Sequence, residues 1–220
     1  MFYEMKKNDH GLARDPFKSC VVPRPIGWIS TISRDGVHNL APYSQFQNLT
    51  FDPPYVMFSA NQNTGGKRKD TVVNIEATGE FVHNMATYDL REAVNKSAQE
   101  MPPDVDEFEI AGVAKAPSKL VKPARVSESP VHFECKYYQT IRLPGDSPMG
   151  SVDIIIGRVV GIHINEEFIT PGGKLDIPRI RPLARMGYYD YTSVESVFEM
   201  EIPGMNKNLI DGLEGNTSKK

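Results

Sequence analysis

The sequence predicts a mainly β protein with short helices, and three observations support this. Apolar and polar residues alternate over long stretches, with the period of two that places successive side chains on opposite faces of a strand. Glycine- and proline-rich segments interrupt these stretches where turns are expected. Helical periodicity is confined to short segments between the predicted strands. At 220 residues the chain is long enough for one large β domain.

The first predicted element is a hairpin within residues 23–46, PRPIGWISTISRDGVHNLAPYSQF. Residues 25–33 have strand alternation, and Asp35-Gly36 supplies a tight turn after which the chain doubles back. Pro42 cannot donate to a β-ladder, so it marks an edge, a bulge or the end of the returning strand. Residues 43–46 then offer hydroxyl, amide and aromatic groups, which suit a flat polar heteroaromatic ring. An ordinary surface hairpin is the alternative interpretation.

The next distinctive segment has the composition of an anion site. Residues 59–66, SANQNTGG, form a loop of hydroxyls, amides and glycines, and three cations follow at 67–69. Asp70 is the predicted N-cap of a helix over residues 71–78, which Gly79 ends. Cationic groups, free amides and the positive end of a helix dipole would converge there, as a phosphate requires. A solvated charged turn is the alternative.

The rest of the chain continues this pattern. We expect strands over residues 55–58, 80–86, 131–143 and 151–165, a helix that begins at Thr87 and presents an apolar stripe, and a long connection over 101–128 with a helical turn near 106–110. The apolar centre of the last strand predicts burial on both faces, as in a barrel covered by helices. Residues 1–205 are predicted to form one domain, followed by a polar, mobile tail over residues 206–220.

Composition excludes several classes of protein. The net charge of −3 and a pI near 6.0, without a long basic tract, argue against nucleic acid as a partner. No apolar run has the length of a membrane span or a signal peptide, so we expect no membrane association. Two cysteines far apart in the sequence, Cys20 and Cys135, indicate a reducing compartment, and we expect a cytoplasmic protein.

The sequence also lacks the motifs of several catalytic mechanisms. The histidines have no HExxH spacing and the cysteines form no CxxC, which argues against a metal site. No GxSxG, GxxxxGK[ST] or GxGxxG motif supports a hydrolase, an NTPase or a Rossmann domain. His83 is interpreted as a core or rim residue and Cys20 as a core residue, so no side chain is predicted to be catalytic.

A set of motifs nevertheless resembles a known family. The segments RPIGWIST, NLAPYSQF, PPYVMFS, KDTVVNI, TGEFVHNMA, ESPVHFECKYYQTI and PLARMGYYDY, in this order and spacing, are similar to those of the flavin reductase-like FMN-binding proteins. This group includes flavoredoxin and the flavin reductase components of two-component monooxygenases. The resemblance covers about residues 15–195 and implies a homodimeric FMN-binding split β-barrel with FMN at the subunit interface.

The resemblance also implies which residues hold FMN. Ser30 and Thr31 would approach the ribityl-phosphate, and Ser44, Gln45 and Phe46 would line the isoalloxazine ring. Ser59, Ala60 and Asn61 would add polar and backbone contacts. Lys67, Arg68 and Lys69 would neutralise the phosphate, with Asp70 and Thr71 beginning the helix behind it, and Arg185 would be a further phosphate or ring contact. Which of the three cations touches the phosphate is left open.

The activity implied by this family is that of a flavin reductase. NADH or NADPH would donate a hydride to the flavin, which would pass electrons to an acceptor or a redox partner protein. Two alternatives remain open at this point: a flavoredoxin-like electron carrier with tightly bound FMN, and a non-catalytic flavin-binding or storage protein.

Overall fold

A computed structural model describes residues 1–200, 203 and 204. Within them the strands are β1 (Arg24–Pro25), β2 (Gly27–Ile32), β3 (His38–Tyr43), β4 (Phe46–Phe51), β5 (Pro54–Asn61), β6 (Glu80–Met85), β7 (Lys115–Ala116), β8 (Arg125–Val126), β9 (Val131–Leu143), β10 (Val152–Ile164), β11 (Leu183–Gly187) and β12 (Asp190–Ser193). The α-helices are α1 (Asp70–Thr78), α2 (Arg91–Lys96), α3 (Glu107–Ala111) and α4 (Ile177–Ile180), and short 3₁₀ helices cover Phe17–Ser19 and Glu166–Phe168. The predicted tail over residues 206–220 lies outside the described residues.

Seven antiparallel strands form the main sheet, in the order β3-β2-β6-β9-β10-β5-β4. The first and last strands of this order, β3 and β4, are consecutive in the chain and are separated only by Ser44 and Gln45. The sheet therefore curls until its two edges meet at this connection, which gives a barrel. A smaller sheet, β1-β11-β12, lies beside it, and β7 pairs with β8.

The interior of the barrel is an apolar core to which most strands contribute. It includes Ile29 from β2, Phe58 from β5 and Phe81 from β6, all fully buried. Helix α1 adds Val72 and Ile75 to the same core, because its apolar residues face inward at helical spacing. This packing fixes the position of the N-terminus of α1 relative to the barrel.

A second core lies on the outer face of β2 and β3. Trp28 and Leu40 pack there with Val94 of α2, Phe108 of α3 and Leu183 of β11. Strand β2 is therefore buried on both faces, and its alternation separates the barrel interior from this outer layer. The same layer holds α2 and α3 against the hairpin.

The described structure confirms the predicted first hairpin. Residues 33–37 form the turn, where the Ser33 amide donates to the Val37 carbonyl (2.8 Å) and Gly36 has a φ of +88°. This φ lies in the left-handed region that glycine adopts without strain. The helix predicted over residues 71–78 is also confirmed, with Gly79 at its C-terminus (φ +75°).

Two expectations about burial are wrong. The centre of β10 is not buried on both faces, since Val160 is 37% exposed and Ile154 and Ile156 are only partly buried, whereas Ile155 is fully buried. Cys20 is exposed rather than part of the core, whereas Cys135 is fully buried. Within the described residues, no helix combines the length and apolar character needed to cross a membrane.

Candidate functional site

A polar concave region lies at the N-terminus of α1. We call it the anion cavity: it encloses about 350 Å³, within the range of small-molecule sites, and its lining includes Asn39, Pro42, Tyr43, Asn63, Lys67, Arg68, Lys69, Asp70, Thr71, Ala98, Glu100 and Glu107. Five of the predicted cofactor residues, 67 to 71, belong to this lining. The structure therefore brings together the cationic loop, the helix start and the β3 strand.

The N-terminus of α1 opens onto this cavity without a side-chain cap. Lys69 rather than Asp70 occupies the N-cap position, and its side chain makes no capping hydrogen bond. Asp70 is instead the first residue of the helix, which corrects its prediction as the N-cap. The first amide groups of a helix have no intrahelical acceptor, so an uncapped N-terminus offers donors and a positive dipole end to an anion.

The three consecutive cations have different surroundings. Arg68 binds Glu76 through both terminal nitrogens (2.7 Å each), and its Nε donates to Asp153 (2.9 Å). These carboxylates raise the pKa of Arg68 and hold its guanidinium against β10 and α1. Its charge is therefore already neutralised within the chain.

Lys69 and Lys67 remain near the cavity. The Lys69 ammonium donates to Glu100 (2.7 Å), and the Thr64 hydroxyl donates to the other oxygen of that carboxylate (3.1 Å). Lys67 is exposed, and no carboxylate among the described residues lies within 4.0 Å of its ammonium. Lys67 is thus the cation of this trio that is most available to a ligand.

A buried polar network forms the base of the anion cavity. The Glu107 carboxylate accepts hydrogen bonds from the Asn39 amide (2.9 Å) and the Leu40 backbone N–H (3.1 Å). The Asn39 side-chain oxygen accepts from Thr71 (2.7 Å), which joins β3 to α1. Burial raises the pKa of Glu107, although its hydrogen bonds oppose the shift. Burial also raises the pKa of the Tyr43 hydroxyl.

A second and larger cavity adjoins the first. We call it the arginine cavity: it encloses about 650 Å³ and is lined by Arg14, Asp15, Phe17, Lys18, Arg24, Ile26, Pro42, Ser44, Val94, Ala98, Arg185, Gly187, Tyr188, Tyr189 and Tyr191. Pro42 and Ala98 line both cavities. The two cavities are therefore neighbours, and predicted residues Ser44 and Arg185 lie in the second one.

The structure does not bring the other predicted residues to either cavity lining. Ser30 is fully buried and donates to the Ala124 carbonyl (2.6 Å), and Thr31 is fully buried against Asn39 (3.2 Å). Phe46 packs inward and stacks on His83, with ring centroids 4.2 Å apart. The backbone carbonyl of Gln45 accepts a hydrogen bond from the Ser59 N–H, and Ala60 is buried. The side-chain amide of Asn61 donates to the Met149 carbonyl.

Sequence reasoning missed the acidic side of the anion cavity. Glu107 comes from the long connection, to which no role was assigned, Glu100 directly precedes that connection, and Asn39 lies on the returning strand of the hairpin. A polar residue in an otherwise apolar alternation, Asn39 beside Leu40, is the signal that was available for it. The positions of the two glutamates depend on tertiary packing. Among the described residues, no cluster of His, Cys, Asp and Glu could hold a metal ion.

Comparisons with known proteins agree with this architecture. The family model described as flavin reductase like domain matches residues 19–183. An uncharacterized protein from Aquifex aeolicus is 36% identical over 191 residues, which cover 86% of this chain and 94% of the relative.

Solved structures of several other proteins are similar to this chain over most of its length. Nitrilotriacetate monooxygenase component B from Bacillus cereus is 28% identical, with a TM-score of 0.80 over 91% of this chain and 98% of that one. A split-barrel-domain protein from Shewanella frigidimarina (20% identity, TM-score 0.77, 92% and 99% covered) and the flavoredoxin of Desulfovibrio vulgaris (18%, 0.72, 93% and 99%) share the fold. The barrel described above is therefore a split barrel.

Proposed function

The chain belongs to the flavin reductase like family, and from this premise we propose that it is an FMN-binding oxidoreductase that takes a hydride from NADH or NADPH. The observation that carries the proposal is that the anion cavity and the arginine cavity adjoin, with Pro42 and Ala98 in both linings. The anion cavity offers cations and an uncapped helix N-terminus, and the arginine cavity offers a hydroxyl and aromatic groups in addition to its own cations. A ligand with a phosphate at one end and a flat ring at the other has this distribution of chemistry.

The Lys67 ammonium and the start of α1 fit a phosphate monoester, whereas Asp70, Glu100 and Glu107 give the same cavity an acidic side. Lys67 is unpaired among the described residues, and the start of α1 lacks a cap. Lys69 would reach the same phosphate if it left Glu100, and Arg68 would act indirectly by fixing the loop. The proposal thus assigns the direct contact to Lys67 and keeps Arg68 as a positioning residue.

The ring end would lie beyond Pro42, next to Ser44. When bound, FMN supplies the acceptor for the hydride and the route by which electrons leave. The chain's own contribution is to hold the ring. Ser44 offers it a hydroxyl and a backbone N–H, whereas Pro42 has no N–H to donate.

A homodimer and a cytoplasmic location remain part of the proposal. The exposed apolar residues on β9 and β10, Tyr138, Leu143, Val160, Ile162 and Ile164, support a second copy as the partner that covers them. The two free cysteines are in keeping with a reducing compartment. Size-exclusion chromatography with light scattering would test the dimer, and a monomer at micromolar concentration would contradict it.

The direct test of the function is the visible absorption spectrum of the purified protein, recorded anaerobically before and after NADH and then NADPH are added. We expect flavin bands, in the protein as purified or after FMN is added, and we expect one of the two donors to bleach them. Bands that persist with both donors would contradict the reductase and favour a carrier or a storage protein. A protein that binds no added FMN would refute the cofactor assignment.

The phosphate assignment has its own test. The double change Lys67→Ala and Lys69→Ala should weaken FMN binding by about 1 to 3 kcal/mol, because charge-assisted contacts have this magnitude. Flavin fluorescence quenching would measure the dissociation constant. Arg34→Gln, in the exposed turn between β2 and β3, is a control that removes a positive charge elsewhere. Equal affinities in the double variant and the control would rule out these lysines as phosphate ligands.

A further inference from the structure

Two arginines lie directly opposite each other in the arginine cavity. Strands β1 and β11 pair antiparallel, and the register places Arg24 opposite Arg185. Both side chains line the same cavity. Like charges at directly opposed positions destabilise a strand pair, so this arrangement has a cost in the absence of a counter-charge.

No carboxylate among the described residues neutralises this pair. Neither guanidinium lies within 4.0 Å of an acidic oxygen there, whereas Arg68, Arg142 and Arg181 each have such a partner. Arg185 donates to the Tyr188 carbonyl, and its guanidinium lies over the Tyr191 ring, 4.5 Å from the centroid. These contacts orient Arg185 but leave its charge uncompensated.

Arg24 is unusually buried for an unpaired cation. It is only 9% exposed, and its Nη1 donates to the carbonyls of Lys18 and Val21 (2.8 Å for the latter). Its Nε is buried and has no hydrogen-bond acceptor among the described residues. Burial first, and then the charge of Arg185, lower the pKa of Arg24. A buried donor without a partner costs free energy that an incoming acceptor would recover.

The lining of the arginine cavity as a whole carries a net positive charge, like the arginine pair itself. Arg14 and Lys18 join the arginine pair in its lining, and Asp15 is the acidic residue among them. This concentration of positive charge contrasts with the net charge of −3 of the whole chain. Paired guanidinium groups bind phosphate and carboxylate oxygens in a bidentate manner.

A third cavity adjoins the arginine cavity. It encloses about 270 Å³ and shares Val94 and Tyr191 with the arginine cavity. Its lining includes Tyr88. The guanidinium carbons of Arg91 and Arg181 lie 4.1 Å and 4.0 Å from the centroid of the Tyr88 ring. The arginine cavity therefore shares lining residues with both of the other cavities.

We propose that Arg24 and Arg185 form an anion subsite for the pyrophosphate of the dinucleotide donor, separate from the site of the flavin phosphate. This inference rests on the proposed function for the identity of the ligand. The two neighbouring cavities are then accounted for: the anion cavity holds the flavin phosphate, and the third cavity leaves room for the part of the donor beyond its pyrophosphate. The opposed arginines are stabilised when the donor is bound.

The test uses the full-length, FMN-loaded protein and ADP-ribose, which has the pyrophosphate but lacks nicotinamide. Titration calorimetry would compare wild type with Arg185→Gln, Arg185→Lys and the control Arg34→Gln. We expect Arg185→Gln to weaken ADP-ribose binding about 10- to 100-fold and to leave FMN affinity within about twofold, because one charge-assisted hydrogen bond accounts for a change of this size. Arg185→Lys, which keeps the charge, should lie in between.

A kinetic comparison separates this role from a structural one. For Arg185→Gln, kcat/KM for NADH or NADPH should fall by about the same factor, while kcat/KM for 1-benzyl-1,4-dihydronicotinamide, a donor without phosphates, should stay within about twofold of wild type. Equal losses with both donors would overturn the subsite, as would a loss of FMN affinity, which would assign the arginines to the flavin phosphate. Wild-type protein that fails to bind ADP-ribose would also overturn it. A protein that binds ADP-ribose through Arg185 but is reduced by neither donor would refute the proposed activity and keep the subsite.

Discussion

Replacement of Arg68 by glutamine should destabilise the fold rather than act on the ligand alone. Asp153, with 1% of its side chain exposed, would lose the Arg68 Nε bond at 2.9 Å and keep the Gln62 amide at 3.3 Å as its hydrogen bond, with Arg142 Nε at 4.0 Å. Removing one member of a buried ion pair costs about 3 to 5 kcal/mol. Because the Arg68 side chain is 29% exposed, we expect the lower end, about 3 kcal/mol.

Urea unfolding of the FMN-free protein would measure this change, together with a fall in melting temperature of roughly 6 to 12 °C for a chain of this size. Lys67→Gln is the matched control, since it removes the neighbouring charge from an exposed side chain and should change stability by less than about 0.5 kcal/mol. Asp153→Asn in the Arg68→Gln background should recover part of the loss, because it removes the unpaired buried charge. Equal stabilities for Arg68→Gln and Lys67→Gln would refute the argument.

Three further predictions concern the core. Gly27→Ala should cost about 1 to 3 kcal/mol in urea unfolding, because its new methyl group would lie 2.5 Å from the Phe46 ring, and an unchanged midpoint would contradict this. Ser97→Ala should cost a similar amount by leaving the buried Trp28 indole N–H without its acceptor at 2.8 Å, which thermal melts would detect. Burial lowers the pKa of His83 to about 3, so the unfolded state binds more protons and stability falls as the pH drops from 6.5 towards 3; His83→Gln should reduce this slope by up to about 1.4 kcal/mol per pH unit, and an unaltered slope would disprove the assignment.

Much of the fold could be predicted because its signals are local. The hairpin at residues 33–37 depends on a turn sequence, and α1 depends on a short amphipathic segment that ends at Gly79. Strand β9 was predictable from alternation over thirteen residues, and β10 from the apolar run at its centre. An apolar run does not reveal which of its residues the rest of the chain covers, so the burial of Val160 was predicted wrongly.

The candidate site was predictable in part, for a physical reason. The cations at 67–69 are adjacent in sequence, but their roles differ because Asp153 and Glu100, from distant segments, neutralise two of them. Ser30 and Thr31 have hydroxyl groups that could contact a ligand, yet β2 is buried on both faces. Their hydroxyls instead form hydrogen bonds within the protein, to the Ala124 carbonyl and to Asn39. Such differences depend on long-range pairing, which a local pattern does not contain.

The junction of β3 and β4 has a consequence for engineering the chain. Only Ser44 and Gln45 connect the two edge strands, so a circular permutation that places new termini there would remove the covalent link across the seam. The permuted protein would still have every strand neighbour in the order β3-β2-β6-β9-β10-β5-β4. Its barrel would nonetheless be free to open between β3 and β4. Because Ser44 lies in the arginine cavity, ligand affinity would show how far these two strands separate.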